Sequence, residues 1–237
     1  MIQSTTTFWQ ELLDDWPGGS MPPPPYRDAY PVRLLSGRVL CLPLRPLPDG
    51  GRAVASLIAN QASFPVMDAL ADDMARLARD DAPDVVVALP TLGLALAPLV
   101  AARLGHARYA PMGYSRKYWY DDALSEPIQS ITSPGGAKRL YLDPNLVALL
   151  SGRRICVVDD AVSTGASLLA AHRLFARLGI EIALFLVAMK QTTRWIEALA
   201  AVDPALPRKV RGVFGCPMFE RVDGGYVPVP ATLPDCP

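Results

Sequence analysis

The chain is poor in the residues that most often carry covalent and metal chemistry, with only two histidines and four cysteines among 237 residues. Neither His106 nor His172 lies near a nucleophile-elbow sequence, which argues against an acyl-transfer triad. The cysteines have neither the paired spacing of a zinc site nor the density of a secreted disulfide scaffold. We expect reduced thiols at all four positions: Cys41, Cys156, Cys216 and Cys236.

Net charge and long apolar runs are also missing. The 23 basic and 23 acidic residues cancel, so no global field favours nucleic acid or an anionic membrane. No apolar run approaches the roughly 20 residues that span a bilayer, and the N-terminal residues lack the basic and apolar regions of a signal peptide. We therefore expect a cytoplasmic protein with no nucleic-acid and no membrane partner.

Two common phosphate-binding fingerprints are absent as well. No Gly-x-Gly-x-x-Gly follows a predicted strand, and the chain contains no Gly-x-x-x-x-Gly-Lys-[Ser/Thr]. These absences disfavour a dinucleotide-dependent dehydrogenase and a nucleoside triphosphatase. Any phosphate site must therefore use a different loop.

The apolar content, 51% of residues, is ample for a large core, and its pattern alternates between strands and helices. Short apolar runs at 85–89, 155–158 and 180–189 are typical of strands covered on both faces. Segments with helical spacing lie between them, as over 64–80 and 168–178. Turns of two to six residues join these elements, so we predict an α/β core over residues 64–202 with a doubly wound, mostly parallel sheet.

The segments around this core have their own character. Residues 1–25 combine a predicted amphipathic helix over 5–15 with a proline-rich connector, and 26–63 are expected to form a β-rich hood segment with a hairpin. Residues 203–237 form a tail that is expected to contribute to the hood. Within the core, the polar and aromatic stretch 113–143 predicts a long hairpin that acts as a flexible flap over a site.

A pair of acids marks the centre of the predicted site. Asp159 and Asp160 directly follow a buried strand, and open α/β sheets bind ligands at the carboxyl ends of their strands. The small and hydroxylic residues 163–167 then lead into a helix, whose first N–H groups and dipole favour an anion. The stretch predicts a ligand with hydroxyl groups or a metal at one end and a phosphate at the other.

This stretch resembles the phosphoribosyl pyrophosphate (PRPP) binding motif of type I phosphoribosyltransferases, in the run from Val157 to Ser167, Val-Val-Asp-Asp-Ala-Val-Ser-Thr-Gly-Ala-Ser. The likeness is greatest to the adenine phosphoribosyltransferase branch and extends loosely over residues 26–190. It includes Tyr26-Arg27-Asp28, the strand from Pro83 to Val87, and the strand end from Pro111 to Lys117. It implies a Mg²⁺-dependent enzyme that transfers 5-phosphoribosyl from PRPP to a nucleobase, most readily a purine, and releases pyrophosphate.

The resemblance also assigns roles. Asp159 and Asp160 are the catalytic residues: they would accept hydrogen bonds from the ribose hydroxyls and help to place Mg²⁺, directly or through water. The 5′-phosphate would be bound by Ser163, Thr164, Gly165, Ala166 and Ser167, and the pyrophosphate by Thr91, Leu92, Gly93, Arg116 and Lys117. The candidates for contacts with the base are Tyr26, Arg27 and Val162.

The sequence departs from the adenine-specific pattern at three points. The turn 91–93, which matches the family's pyrophosphate loop, lacks the basic residue found there in adenine-specific enzymes. Ala166 replaces a glycine that is common in the phosphate loop, and Tyr118-Trp119-Tyr120-Asp121 replaces a Gly-Lys-Leu-Pro sequence in the flap. The resemblance therefore does not assign the acceptor base. The aromatic residues of the flap either stack on a ligand or pack together, and Asp121, Asp122 or Glu126 are candidates for an acid or base.

Two other functions compete with this one. A non-catalytic PRPP sensor would bind PRPP without converting a base, although the chain offers no basic recognition patch for nucleic acid. A structural α/β protein, in which the two acids only cap a helix, would not bind PRPP. For the leading hypothesis the family resemblance and the N-terminal arm favour a homodimer.

Overall fold

The structure, a computed structural model, describes residues 7–128 and 138–236. In chain order its strands are β1 (Ala29–Arg33), β2 (Val39–Pro46), β3 (Arg52–Ala55), β4 (Val85–Ala88), β5 (Ala110–Pro111), β6 (Ser125–Pro127), β7 (Arg139–Tyr141), β8 (Arg154–Val162), β9 (Glu181–Gln191), β10 (Val210–Cys216), β11 (Met218–Val222) and β12 (Gly225–Val229). Its α-helices are α1 (Phe64–Ala78), α2 (Gly93–Arg103), α3 (Val147–Leu150), α4 (Ala166–Arg177) and α5 (Arg194–Ala200).

The predicted parallel sheet is confirmed. Five strands lie in the order β10-β9-β8-β4-β5, and every neighbouring pair is parallel. Helices α1 and α2 pack on one face of this sheet, and α4 and α5 pack on the other. Central strand β8 is covered on both faces, which explains why its apolar residues run without the alternation of a half-exposed strand.

Helix α1 shows how local sequence positions the core. Ser63 caps its N-terminus by accepting a hydrogen bond from the Val66 N–H, and a proline occupies the first turn. Val66, Leu70 and Met74 then recur at helical spacing and are fully buried against the sheet. The sequence predicted this helix over 64–80, and the structure confirms it.

A second, antiparallel sheet forms the hood. Its order is β1-β2-β3-β11-β12, so the N-terminal β-rich segment and the C-terminal tail contribute to the same sheet. The predicted hairpin is β2 with β3, whereas β1 and the hairpin of β11 with β12 were not predicted as strands. A Cβ atom at Gly225 would overlap the Tyr26 carbonyl group. Position 225, where the C-terminal strands pack against the N-terminal segment, therefore requires glycine.

The predicted helix over residues 5–15 is wrong for the part that the structure describes. Residues 7–15 contain turns and an isolated bridge between Leu13 and Val39, and residues 1–6 lie outside the described residues. The reason is a tertiary contact: Trp9 is buried against the hood, with its indole N–H donating to the Ser56 carbonyl at 3.1 Å. The proline-rich residues 22–25 contain neither helix nor strand, as expected.

The stretch between β5 and β8 contains the predicted hairpin. Strands β6 and β7 pair antiparallel, while residues 129–137, the middle of the predicted flap, lie outside the described residues. Arg177 of α4 fixes the hairpin, pairing with Glu126 at 2.9 Å and donating to the Ser125 carbonyl at 2.9 Å. The base of the hairpin is thus attached to the helix that follows the two acids. Among the described residues, no helix has the length and apolarity needed to cross a membrane.

The burial of Trp9 predicts that the N-terminal arm stabilises the hood. We expect Trp9→Ala to lower the free energy of unfolding by about 3–5 kcal/mol, because it empties a large buried site and removes the hydrogen bond to Ser56. Urea unfolding followed by circular dichroism measures this change. Phe64→Ala is the aromatic control, since Phe64 is 86% exposed, and equal effects of the two substitutions would contradict the arm's role.

Candidate active site

Asp159 and Asp160 lie at the carboxyl end of β8, at the edge where an open α/β sheet binds ligands. Both side chains are buried, with 8% and 9% of the residues exposed. The Asp160 backbone N–H donates to Asp159 Oδ1 at 2.9 Å, and the two carboxyl groups also hydrogen-bond each other. The two acids therefore form one compact buried unit.

Burial controls the protonation of this pair. Loss of solvation raises the pKa of Asp160 to about 6 and raises the pKa of Asp159 well above its ordinary value, with the neighbouring charge of Asp160 adding to the effect. Because the two groups interact strongly, they take up protons as a pair. Carboxyl groups with raised pKa values in a ligand-binding position are typical of functional sites.

The turn after β4 reaches the same edge. Gly93, the first residue of α2, approaches β8 so closely that a Cβ atom would lie 2.6 Å from the Val158 carbonyl oxygen and 3.2 Å from Asp159 Oδ1. Its backbone N–H donates to Asp159 and opposes the rise in the pKa of that acid. Thr91 is exposed, Leu92 is half-buried, and the Pro90–Thr91 peptide is cis. The predicted turn 91–93 thus lies beside the acids.

The loop after the acids has the geometry of an anion site. Gly165 adopts a φ of +80° and is followed by the 12-residue helix α4, which starts at Ala166. A Cβ atom at Gly165 would also lie 2.5 Å from Leu199 Cδ1, so both the backbone conformation and the packing on α5 require glycine. Ser163 and Ser167 are half-buried and Thr164 is exposed, which leaves hydroxyl and N–H groups around the start of the helix.

Tyr114 and Lys138 belong to this region although the sequence did not identify them. The Tyr114 hydroxyl hydrogen-bonds with Ser167, and burial, together with the charge of Asp159, raises the pKa of Tyr114. The Lys138 ammonium lies 5.3 Å from the centre of the Tyr114 ring. Tyr114 follows β5 at the carboxyl edge of the sheet, a position that could have marked it. No sequence feature indicated Lys138, which directly precedes β7 and contacts Tyr114 only because of the fold.

The basic and acidic residues of the flap are engaged with each other. Arg116 pairs with Asp122 at 2.8 Å and donates to the Tyr120 carbonyl, and Lys117 is exposed. Asp121 accepts from the Ala123 N–H at 2.9 Å. The structure therefore connects Arg116 to Asp122 rather than to the two acids of β8. A role of Arg116 and Lys117 with pyrophosphate stays a prediction.

The residues predicted to contact a base are spread over different surroundings. Tyr26 belongs to the hood, where its hydroxyl donates to the Pro22 carbonyl at 3.1 Å and its ring packs edge-on against Tyr30. Arg27 is exposed. The Val162 residue is 1% exposed and packs with the core under β8, so that only its backbone is free for a ligand contact. Tyr26 and Val162 therefore belong to two different hydrophobic clusters.

The flap aromatics pack on one another. Tyr118 and Trp119 meet edge-to-face with ring centres 4.7 Å apart, Trp119 meets Tyr120 at 5.8 Å, and Tyr120 meets Tyr141 at 6.0 Å. Of the two interpretations left open by the sequence, the mutual packing is present in the structure. Tyr118 nevertheless remains largely exposed.

The raised pKa values predict that the pair destabilises the folded protein at neutral pH. The folded-state pKa of Asp160 exceeds its ordinary value, so its contribution to stability is present at low pH and is lost as pH rises through about 6. We expect Asp160→Asn to be more stable than the wild type by roughly 2 kcal/mol at pH 8, and the difference to shrink towards pH 4.

Urea unfolding at a series of pH values measures this difference. Asp80→Asn serves as a control at an exposed acid, and we expect it to change the free energy of unfolding little at any pH. A stability difference for Asp160→Asn that does not vary with pH would show that the carboxyl group of Asp160 is not held out of water as described.

Comparisons with known proteins agree with this arrangement. Residues 50–204 match the family model described as the phosphoribosyl transferase domain. No curated protein sequence matches the chain. Among solved structures, adenine phosphoribosyltransferase from Thermoanaerobacter pseudethanolicus shares the fold with a TM-score of 0.59 at 18% identity, covering 73% of this chain and 95% of its own.

Two further adenine phosphoribosyltransferases have similar folds. The protein from Rhodothermus marinus gives a TM-score of 0.53 at 17% identity, covering 79% of this chain and 94% of its own. The protein from Leishmania tarentolae gives 0.52 at 18% identity, covering 69% and 76%. With the family model spanning well over half of its length, the chain belongs to the phosphoribosyltransferase domain family, an enzyme family of the glycosyltransferase type, as its sequence predicted.

Proposed function

We propose that the protein transfers 5-phosphoribosyl from PRPP to a nitrogenous base, with Mg²⁺ and with release of pyrophosphate. The observation that carries the proposal is the buried acid pair of β8 followed at once by the Gly165 turn and the start of α4. This places acceptors for a diol and donors for a phosphate within one loop. In this proposal residues 64–202 are the catalytic core, with 113–143 as its flap. Residues 26–63 and 203–237 form the hood, and 1–25 are an arm.

The acid pair would bind the ribose. Carboxylate oxygens accept hydrogen bonds from the two ring hydroxyls, and these charge-assisted bonds are stronger when water is excluded. The raised pKa of Asp160 means that binding a cationic or strongly donating ligand also draws the pair towards its ionised form. Binding of the donor and loss of a proton are therefore coupled.

The loop from Ser163 to Ser167 would bind the 5′-phosphate. The first backbone N–H groups of α4 have no helical partners, and the left-handed Gly165 directly precedes them. The Ala166 N–H makes a long contact of 3.5 Å with Thr164 Oγ1, which a phosphate would replace. The Thr164 and Ser167 hydroxyls add donors. At Ala166 only the backbone is needed, since the left-handed conformation is taken by Gly165 alone, and this explains why alanine is compatible with the loop.

The acid pair also fits a magnesium ion. Within residues 7–128 and 138–236 no group of three or more acids, histidines and cysteines could hold a metal, so a fully protein-made cage is not formed there. Mg²⁺ usually keeps several waters and binds through one or two carboxylates together with substrate phosphates, and Asp159 and Asp160 supply such a pair. When bound, the ion would neutralise charge on the pyrophosphate.

The turn from Thr91 to Gly93 would bind the departing pyrophosphate through the backbone N–H groups of Thr91 and Leu92, while the Gly93 N–H holds Asp159 beside the turn. Lys138 lies beside Tyr114, which interacts with Ser167 and with the charge of Asp159, and we propose Lys138 as an additional pyrophosphate contact alongside Arg116 and Lys117. The transition state of such a transfer has oxocarbenium character. The protein's part is therefore to hold the donor, to stabilise the leaving charge and to exclude water, rather than to supply a nucleophile.

The acceptor is proposed to be a purine-like base. Three solved structures with the same fold are named as adenine phosphoribosyltransferases, which favours this class without choosing its member. The base would enter between the hood and the carboxyl edge of the core sheet, where Tyr26, Arg27 and the backbone of Val162 remain the proposed contacts. A cytoplasmic location and a homodimer complete the proposal.

Turnover tests the proposal directly. With PRPP, Mg²⁺ and a panel of purines and pyrimidines, at least one base should yield pyrophosphate and a nucleoside monophosphate. We expect Asp160→Asn to lower kcat/KM by roughly 100-fold or more, because it removes a charge that acts on the donor. The variant should remain folded, since the same substitution is expected to stabilise the protein. Asp80→Asn is the matched control.

The outcomes separate the competing functions. Full activity in Asp160→Asn would overturn the assigned role of the pair. Binding of PRPP in calorimetry without conversion of any base would favour the sensor, and a lack of PRPP binding would leave only the structural α/β protein.

Tyr114 is expected to act as a positioning residue for Ser167. Tyr114→Phe keeps the ring beside Lys138 but removes the hydroxyl that orients Ser167, so we expect the KM for PRPP to rise roughly fivefold with little change in kcat. Tyr118→Phe, at an exposed tyrosine, is the control. If Tyr114 acts through Ser167, adding Ser167→Ala to Tyr114→Phe should have a much smaller effect than Ser167→Ala alone. Fully additive effects would contradict this coupling.

A further inference from the structure

A second cleft lies behind the phosphate loop, on the edge of the core sheet. It has a volume of about 430 Å³ and is formed by α5, the start of β10 and the last residues of the tail. This volume suits a small ligand rather than a polypeptide. The side chains that determine its chemistry are Lys190, Trp195, Arg208, Arg211, Asp235 and Cys236.

Lys190 is the most unusual member of the cleft. Only 7% of the residue is exposed, yet it has no ion pair among the described residues. Its ammonium donates to the Asp235 backbone carbonyl at 3.1 Å and lies 5.9 Å from the centre of the Trp195 ring. Burial is the main cause that lowers the pKa of Lys190, and the nearby charge of Arg211 adds to it, while Cys236 and Asp235 oppose the shift without reversing it. The ammonium therefore has one neutral hydrogen-bond acceptor and no acid within salt-bridge distance among the described residues, an incomplete set of partners for a buried charge.

Other donors around the cleft lack partners too. The Trp195 indole N–H and the Arg211 Nε–H are buried, and neither has a hydrogen-bond partner within the part of the chain that the structure describes. Arg211 uses another nitrogen of its guanidinium to pair with Asp81 at 3.1 Å. Buried polar groups in native proteins are nearly always satisfied, so two unpaired donors beside an ammonium that has only one hydrogen-bond acceptor need an explanation.

The side chains that line the cleft carry more positive than negative charge. Lys190, Arg208 and Arg211 contribute three cations, against one acid among the lining residues, Asp235. Arg208 is exposed and its guanidinium has no ion pair in residues 7–128 and 138–236. Guanidinium groups suit the oxygens of phosphate and carboxylate groups, which accept two parallel hydrogen bonds. The protein as a whole is neutral, so this excess of positive charge is local.

We propose that this cleft binds a small oxyanion, the phosphate or carboxylate group of a small molecule. The anion would supply Lys190 with an ion-pair partner at contact distance and would supply acceptors for the Trp195 and Arg211 N–H groups, while Arg208 would contact it from the rim. Asp235 and Cys236, which lie over Lys190, are both exposed residues, so the ligand has to displace only this short part of the tail. In the bound state the anion takes the place of the Asp235 carbonyl.

The cleft is distinct from the proposed donor site but lies next to it. Trp195 forms the boundary: its Cβ atom would lie 3.5 Å from a Cβ placed on Gly165 of the phosphate loop, and its ring faces Lys190. Lys190 in turn pairs in register with Val162, three residues before Gly165. The inference does not depend on phosphoribosyl transfer, because a positively charged cleft should bind anions whether or not the protein turns over PRPP.

The indole N–H signals in a ¹⁵N–¹H correlation spectrum give a direct test. The chain has four tryptophans, and Trp195→Phe identifies the Trp195 signal. We expect inorganic phosphate to shift this signal in a saturable manner, and sodium chloride at equal ionic strength not to do so. A parallel titration with citrate gives the affinity for a carboxylate ligand, and comparing the two affinities shows whether the cleft prefers phosphate or carboxylate. Arg208→Gln should weaken the binding about tenfold, because it removes one charge-assisted contact without disturbing a buried group.

Two further variants separate the cleft from the phosphate loop. Arg79→Gln, at an exposed arginine outside the cleft, should bind phosphate as the wild type does. The double variant Thr164→Ala, Ser167→Ala should retain the shift of Trp195, because it alters only the loop. The proposal is overturned if the shift does not saturate, if Arg208→Gln leaves it unchanged, or if the loop variant abolishes it.

Discussion

Two carboxyl groups held side by side out of water, at Asp159 and Asp160, impose the main constraint on this structure. Both groups would be solvated and ionised in an unfolded chain, so the fold has to bury two neighbouring carboxyl groups against the loss of their hydration and their mutual repulsion. The close approach of Gly93 makes this possible, because its N–H reaches Asp159 only if no side chain separates α2 from β8. A central strand buried on both faces supplies the rigid support. The energy lost at the acids is offset by the apolar core around them.

The loop of residues 163–167, the proposed phosphate site, depends on the same support from its other side. Gly165 turns the chain into α4 and packs on Leu199 and Trp195 of α5, so the loop is held between the acids and a helix that follows much later in sequence. The hood is attached to this edge as well, since the Gln191 amide at the end of β9 donates to the Ala55 carbonyl at 2.6 Å. An edge that is fixed from three directions can keep donors and acceptors aligned before a ligand arrives, which is the condition for electrostatic catalysis.

The parts of the fold that could be predicted from the sequence are those whose cause is local. The apolar run of β8, the stripe and cap of α1 and the glycine turn before α4 each depend on neighbours within a few residues. The failures have long-range causes. The predicted N-terminal helix does not form because Trp9 hydrogen-bonds to Ser56, 47 residues away. Glu126, a candidate acid or base, is instead paired with Arg177, 51 residues away. Lys138 and the Lys190 cleft were not predicted for the same reason. The role of a single lysine depends on the residues that the fold places beside it, and these are distant in the sequence.

The difference between local and long-range causes also distinguishes the proposed donor site from the proposed acceptor site. The donor side is encoded in one run of the chain, because the acids, the turn and the helix start are consecutive, and so a motif of eleven residues is informative about PRPP. The acceptor side has no such run.

The hood is one sheet made from two distant parts of the chain, β1–β3 near its beginning and β11–β12 near its end. The two parts meet where Gly225 packs against Tyr26. A base between hood and core would be contacted by segments almost 200 residues apart, so its identity is a property of their packing. Substitutions that change acceptor preference should accordingly lie in the hood strands and their crossing, while the acids and the phosphate loop keep their residues.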